Sequence, residues 1–298
     1  MTCRFVDPAP FSHVSRRRRA SLRLAPADPL LHPKNSVTTD LFPELATEPE
    51  VPRSLTPEQA DKLPHIHRLL LRHYGLPPAR TPWDPLTQFI YSLLSSRTKT
   101  PASQTVMREL ERRFSAGPGH WENVRDATVT EIEHTIGVVT FPEVKAPRLK
   151  LALQQITERY GSLTLDFLAK YKTAKIRDWL EQFEGVGPQV SAAVVNFSTL
   201  RRRALCIDAN HLRVTQRLCI VPRADAATTE ERLMRLVPET WDAAMLDQHH
   251  SLVKIHAQTL CTFDVPQCEP CPLLKLCPTG QRNVAKLHLL PAALESAS

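Results

Sequence analysis

The chain has 298 residues, 42% of them hydrophobic, enough to bury one large core or two modest ones. A formal net charge of +7 and a pI near 9.2 favour an anionic partner. No apolar run approaches the roughly 18 residues that span a bilayer, so nucleic acid fits better than a membrane.

Residues 1–54 hold eight prolines, no glycine and the run Arg16 to Arg19, and are expected to be a flexible tail. The arginine run could hold DNA, act as an address, or simply be a solvated charge run. From about Leu55 the pattern becomes helical. Leu86, Phe89, Ile90, Leu93 and Leu94 lie on one helix face, with Asp84 as N-cap and Pro85 in the first turn. Val106, Leu110 and Phe114 repeat the pattern after Pro101, as do Leu149, Leu153, Ile156 and Tyr160 after Pro147. No stretch alternates cleanly toward a hairpin, so the fold class is all-α with short connections.

Only eight glycines occur, and Gly185 and Gly187 lie two apart in a Gly-Val-Gly turn after Ile176, Leu180 and Phe183. Pro188 suits the first turn of a second helix with Val190, Ala193, Val194 and Phe197 on its apolar face. Such a helix-hairpin-helix corner offers backbone N–H groups to phosphate, although a Gly-x-Gly turn alone also serves as an ordinary helix connection. Downstream come Arg201-Arg202-Arg203 and then Ile207-Asp208, which opens another helix-forming stretch.

Near the C-terminus Cys261, Cys268, Cys271 and Cys277 are spaced C-x6-C-x2-C-x5-C. Four thiolates satisfy either tetrahedral zinc or a [4Fe-4S] cube, and the single short knuckle fits a loop wrapped round the larger object. Disulfides or packed thiols are the plain alternatives. The odd total of seven cysteines and the absence of an apolar signal segment point to a reducing interior.

The order of these motifs resembles the endonuclease III branch of the helix-hairpin-helix DNA glycosylases, from roughly Thr56 to Pro278. Leu93 to Thr98, Ile136-Gly137 with Lys145-Ala146, and His249, His250 and His256 match further family segments. The resemblance implies two helical domains with a DNA cleft between them: a six-helix bundle over 80–202, and a cluster domain from 55–79 plus 203–285, followed by a flexible tail over 286–298. It implies a [4Fe-4S] cluster, a damaged base flipped from double-stranded DNA, a monomer, and a nucleoid-associated cytoplasmic enzyme.

Residue by residue, the resemblance makes Asp208 the catalytic carboxylate. At a helix start it is favoured in its ionised form, able to orient or deprotonate a water and to stabilise the sugar cation. A plain N-cap is the structural alternative. Gly185, Val186 and Gly187 would grip DNA, Arg97 would fill the gap left by the flipped base, Val138 or Val139 would act as wedge, and Lys275 would contact phosphate.

Gln189 departs from the family. Bifunctional members carry at its position the lysine that attacks the sugar, and an amide nitrogen cannot form an imine. Base excision through activated water is therefore expected, with weak or absent lyase activity and Lys145 the nearest substitute amine. The 262–267 loop lacks lysine and arginine, so Arg201 to Arg203 or Arg213 are expected to supplement Lys275. A DNA-binding protein without catalysis, or a bifunctional enzyme with an unaligned amine, stays open.

Overall fold

The computed structural model describes residues 57–295, and Ser54–Ser298 form one compact unit. The expected 1–54 tail lies outside the described residues. In chain order the helices are α1 (Pro57–Tyr74), α2 (Pro85–Ser95), α3 (Thr100–Phe114), α4 (Glu122–Asp126), α5 (Val129–Thr135), α6 (Pro142–Tyr160), α7 (Thr173–Leu180), α8 (Pro188–Phe197), α9 (Ala209–Leu218), α10 (Ala226–Met234), α11 (Ala243–Thr259) and α12 (Pro278–Glu295). Among the described residues there is no strand, only one isolated bridge between Gly117 and His120, so the all-α expectation holds.

Local chemistry sets the boundaries. Asp84 caps α2 by accepting the Thr87 N–H at 2.9 Å, and Pro85 follows where its missing N–H is harmless. Thr128 and Glu131 form a reciprocal capping box at α5. α6 starts at Pro142, not at Pro147, which sits inside the helix. Proline in the second turn removes one intrahelical bond without ending the helix, so the apolar repeat extends upstream of it. Helix α12 likewise continues to Glu295, through the stretch expected as a loose tail from 286.

Helices α2 and α8 pack on one another as the central pair, and every residue from Val190 to Phe197 is buried. Around them α3 to α7 close a core in which the Phe89 and Phe183 rings meet edge-on at 5.6 Å and Trp121 donates to Thr87 Oγ1 at 2.9 Å. A second set of contacts joins α1, α9 and α11 through Ile66, Leu70, Val214, Leu252 and Val253. A third gathers Leu63, Leu205, Ile207, Leu233 and Leu246 beneath the start of α9.

Ion pairs tie these groups together. Arg177 of α7 grips Glu230 of α10 with two bonds of 2.7 and 2.8 Å. Burial pushes the Glu230 carboxyl up and Arg177 pulls it back, so removing the arginine would leave a buried acid and cost about 3–5 kcal/mol. On the other side Asp247 of α11 receives both Arg80 at 3.2 Å and Arg201 at 3.0 Å. These pairs fix α11 against the loops entering α2 and leaving α8.

Candidate functional site

A cleft runs between α2, the start of α3 and α8 on one side and the start of α9 and α11 on the other. Asp208, Gln189 and Arg97, distant in sequence, all line it. Asp208 is the N-cap of α9 and accepts the His211 N–H at 2.8 Å through Oδ1. Burial opposes the ionised carboxylate, but the fields of His250 and His211, the His211 amide and Lys254 outweigh it, so the carboxyl sits below its ordinary value. Burial lowers both imidazoles in turn, and Lys254 lies near enough to add the smallest part of that field. The capping and acid/base readings of Asp208 are compatible, since one oxygen caps the helix and the residue borders the cleft.

Behind Asp208 lies a stack of buried imidazoles. His250 shares its Nδ1 with the Cys206 carbonyl at 2.9 Å, which sets Nδ1 as the protonated nitrogen. His211 lies between His250 and His249, with ring centroids 5.9 and 5.6 Å away, and His249 continues to His67 at 5.5 Å.

The hairpin joins α7 to α8. Gly185 takes φ +86°, and a Cβ there would meet Arg148 Cδ at 3.0 Å, so both conformation and space select glycine. Gly187 caps α8 without a side-chain cap, and a Cβ on it would meet nothing within 4 Å. The turn therefore presents an open, uncapped helix start, the geometry that receives an anion.

Arg97 is exposed in the left-handed region at φ 56°, where its carbonyl accepts Thr140 Oγ1 at 3.0 Å. That bond clasps the 136–141 turn to the end of α2. Within the turn Val139 is buried whereas Val138 is 53% exposed, which selects Val138 of the two wedge candidates. Sequence reading missed Phe141, also left-handed and 51% exposed beside them. Phe-Pro at a helix entry is its only local signal.

Partners within the protein hold several of the cations named from sequence. Lys145 is buried, and its ammonium donates to Leu94 O at 2.7 Å, Ser96 O at 2.7 Å and Thr98 Oγ1 at 2.9 Å. Burial lowers it to about 8, but those three acceptors commit it to the carbonyls ending α2, and it is absent from the cleft lining. The arginines expected to supplement Lys275 are also engaged: Arg201 with Asp247, Arg202 with Ala169 O, Arg203 with Pro238 O, and Arg213 with Cys261 O and Ala257 O. Lys275 itself is exposed on the 3-10 turn Leu274–Leu276. Phe263 and Val265 in the preceding loop are 76% and 77% exposed.

Cys261, Cys268, Cys271 and Cys277 line a separate small cavity beneath α9 and α12. Each sulfur has an N–H neighbour: Arg217 Nη1 to Cys261 at 3.3 Å, Asn283 Nδ2 to Cys268 at 3.5 Å, and the amides of Leu273 and Gly280 to Cys271 and Cys277 at 3.4 and 3.2 Å. Gly280 leaves room for the last contact, since a Cβ would come within 3.5 Å of the Cys277 sulfur. Burial pushes the Cys271 thiol up to about 11 and raises Cys277, so thiolates here require a bound cation. Among the described residues no three His, Cys, Asp or Glu groups converge on a single-ion position. Four thiol donors round one cavity, each with an N–H neighbour, are a donor set that could hold a soft metal group.

No family model matches the chain. Protein ROS1A of Oryza sativa subsp. japonica is 28% identical over 171 residues, covering 53% of this chain and 9% of that protein. Endonuclease III of Bacillus subtilis (strain 168) is 30% identical over 158 residues, covering 52% of this chain and 65% of the relative. The chain thus spans less than two thirds of the length of these relatives. A solved non-covalent endonuclease III–DNA complex superposes with a TM-score of 0.63 over 78% of this chain and 100% of that one, at 20% identity, and so has the same fold. The chain thus has the fold of endonuclease III and is similar to it in sequence.

Proposed function

We propose that this chain is a DNA N-glycosylase of base excision repair that flips damaged or mispaired pyrimidines out of duplex DNA and hydrolyses their N-glycosidic bond. The observation that carries this reading is the meeting of Asp208, Gln189 and Arg97 in one cleft. Asp208, ionised through the charge field described above, orients or deprotonates the attacking water and stabilises the positive sugar as the base leaves. Gln189 stands on the opposite wall and offers no amine, so base excision is monofunctional, with water as the nucleophile at C1′. The uncapped turn at Gly185 to Gly187 takes a backbone phosphate, Lys275 a second, and Arg97 with Val138 enters the space left by the flipped base.

In this reading the bundle of 80–202 and the lobe from 55–79 plus 203–285 supply the two walls. A [4Fe-4S] cluster on Cys261, Cys268, Cys271 and Cys277 pins the C-terminal loop and takes no part in excision, because its four thiolates leave no open position.

The test is release of free base from duplexes carrying uracil, thymine glycol or a G·T mismatch. Asp208→Asn keeps a capping side chain and is expected to fold, while base release falls about 10²–10⁴-fold. Release at the wild-type rate in that variant would overturn the role of Asp208. Tight binding without release from any duplex would replace the enzyme with a damage-recognising binding protein.

A further inference from the structure

The cleft contains an amine that the sequence motifs do not announce. Lys254 lies on α11, one turn after His250, so both residues face the same way. It lines the cleft with Asp208 and Gln189, and it is near enough to Asp208, His250 and Cys206 to act on their charge. It is half-buried and, among the described residues, makes no hydrogen bond or ion pair. The other candidates differ. Lys145 is committed to three acceptors outside the cleft, and Lys99 is exposed at the N-cap of α3.

We propose that Lys254 is an abasic-site nucleophile that acts after the base has left, from α11 instead of from the hairpin position occupied by Gln189. The inference rests on the reading of the cleft as the site of a flipped deoxyribose. Hydrolysis of the glycosidic bond leaves a sugar that opens to an aldehyde at C1′. Lys254, having given a proton to Asp208, adds through Nζ to that carbon, and the carbinolamine takes that proton back as its hydroxyl leaves as water, giving a protonated imine and returning Asp208 to its ionised form. A carboxylate beside the sugar, Asp208, then removes a C2′ proton. The electron pair forms the C2′–C3′ double bond, and the bond from C3′ to the phosphate oxygen breaks, releasing the downstream strand with a 5′-phosphate. Water hydrolyses the unsaturated imine and returns the amine. No electrons are gained or lost overall. Because the amine acts on the product, strand scission is uncoupled from base excision and slower than it.

Borohydride trapping tests this directly. The full-length protein is mixed with a duplex carrying a preformed abasic site, so that no base excision is needed, and sodium borohydride reduces any imine to a stable secondary amine. A protein–DNA cross-link is expected, mapped by peptide mass spectrometry to Lys254. Lys254→Arg keeps the cation, and with it the electrostatic environment of Asp208, but cannot form the imine, so its cross-link should disappear while binding to the abasic duplex persists. No cross-link from the wild type, a cross-link mapped to another amine, or a wild-type yield from Lys254→Arg would each overturn the proposal. A Lys254 adduct on the abasic duplex without release of any damaged base would sustain it while removing the glycosylase reading, so the two failures are distinguishable.

Discussion

Acidification should unfold this protein through its buried histidines before its carboxylates titrate. His211 and His249 are almost wholly enclosed. Burial first, and the fields of neighbouring histidines second, hold His211 down to about 3 and His249 well below the ordinary value of 6.5. In the unfolded chain both bind a proton as pH falls through that ordinary value, while in the folded chain they do not. The unfolded state then holds more protons, so stability is fully present above the unfolded value and is lost as pH falls below it. At about 1.36 kcal/mol per pH unit and group, each histidine costs about 2 kcal/mol between pH 6.5 and 5, and the pair about 4. That is a large part of the roughly 5–15 kcal/mol that holds a typical domain. His250, lowered for the same first reason, adds with the same sign. Urea unfolding followed by circular dichroism at pH 7.5, 6.5, 5.5 and 5 should show stability falling by about 2.7 kcal/mol per unit below pH 6. His249→Leu should lower that slope by about 1.4 kcal/mol per unit, and at neutral pH it should cost little, because the His249 Nδ1 is buried without a hydrogen-bond partner among the described residues. Stability independent of pH over this range, or an unchanged slope in His249→Leu, would refute the reasoning.

Two further changes probe the hairpin and the cysteine cavity. Gly185→Ala forces a Cβ onto φ +86° against Arg148, whose guanidinium is held by Glu184 at 3.0 Å, and should cost about 1–2 kcal/mol in thermal or urea unfolding while weakening duplex binding in a titration. Cys277→Ala removes a buried ligand whose sulfur receives the Gly280 amide, and is expected to abolish visible absorbance and bound iron, measured by metal analysis of anaerobically purified protein. Zinc without iron in the wild type would replace the cluster with a single ion.

The parts of this molecule that could be read from sequence are those whose signal is local. Asp84-Pro85 opens a helix, and the structure uses both residues as written. Asp208 caps α9 for the same reason, because a short acidic side chain before helix-forming residues satisfies the first free amides. The cysteine spacing brings all four sulfurs to one cavity. What failed depended on partners far along the chain. Arg201 and Arg213 looked like free cations because sequence does not say that Asp247 and the carbonyls of Ala257 and Cys261 will meet them. Lys145 looked like a spare amine because the three oxygens that hold it belong to the end of α2, about 50 residues upstream. Pro147 looked like a helix start because a proline in the second turn leaves the same local pattern as one in the first.

Helix α11 explains why the site's chemistry stayed hidden. Its sequence mixes histidines with apolar residues and carries no motif that points to a cleft. Its packing against α9, α8 and α1 sorts those residues by function. One face drives His249 and His250 into the protein behind Asp208, where burial lowers both. Another turns Lys254 toward the cleft, in front of the same carboxylate. The fields of His250, His211 and Lys254 and the His211 amide hold the Asp208 carboxyl down without a salt-bridge partner on its oxygens, and among the described residues the carboxylate accepts only the His211 N–H. A guanidinium clamped onto the carboxylate would also keep it charged, but would block the approach of water or sugar. Holding the positive charge nearby but unbonded leaves the carboxylate both ionised and accessible, and it leaves an amine in the cleft whose hairpin position is occupied by Gln189.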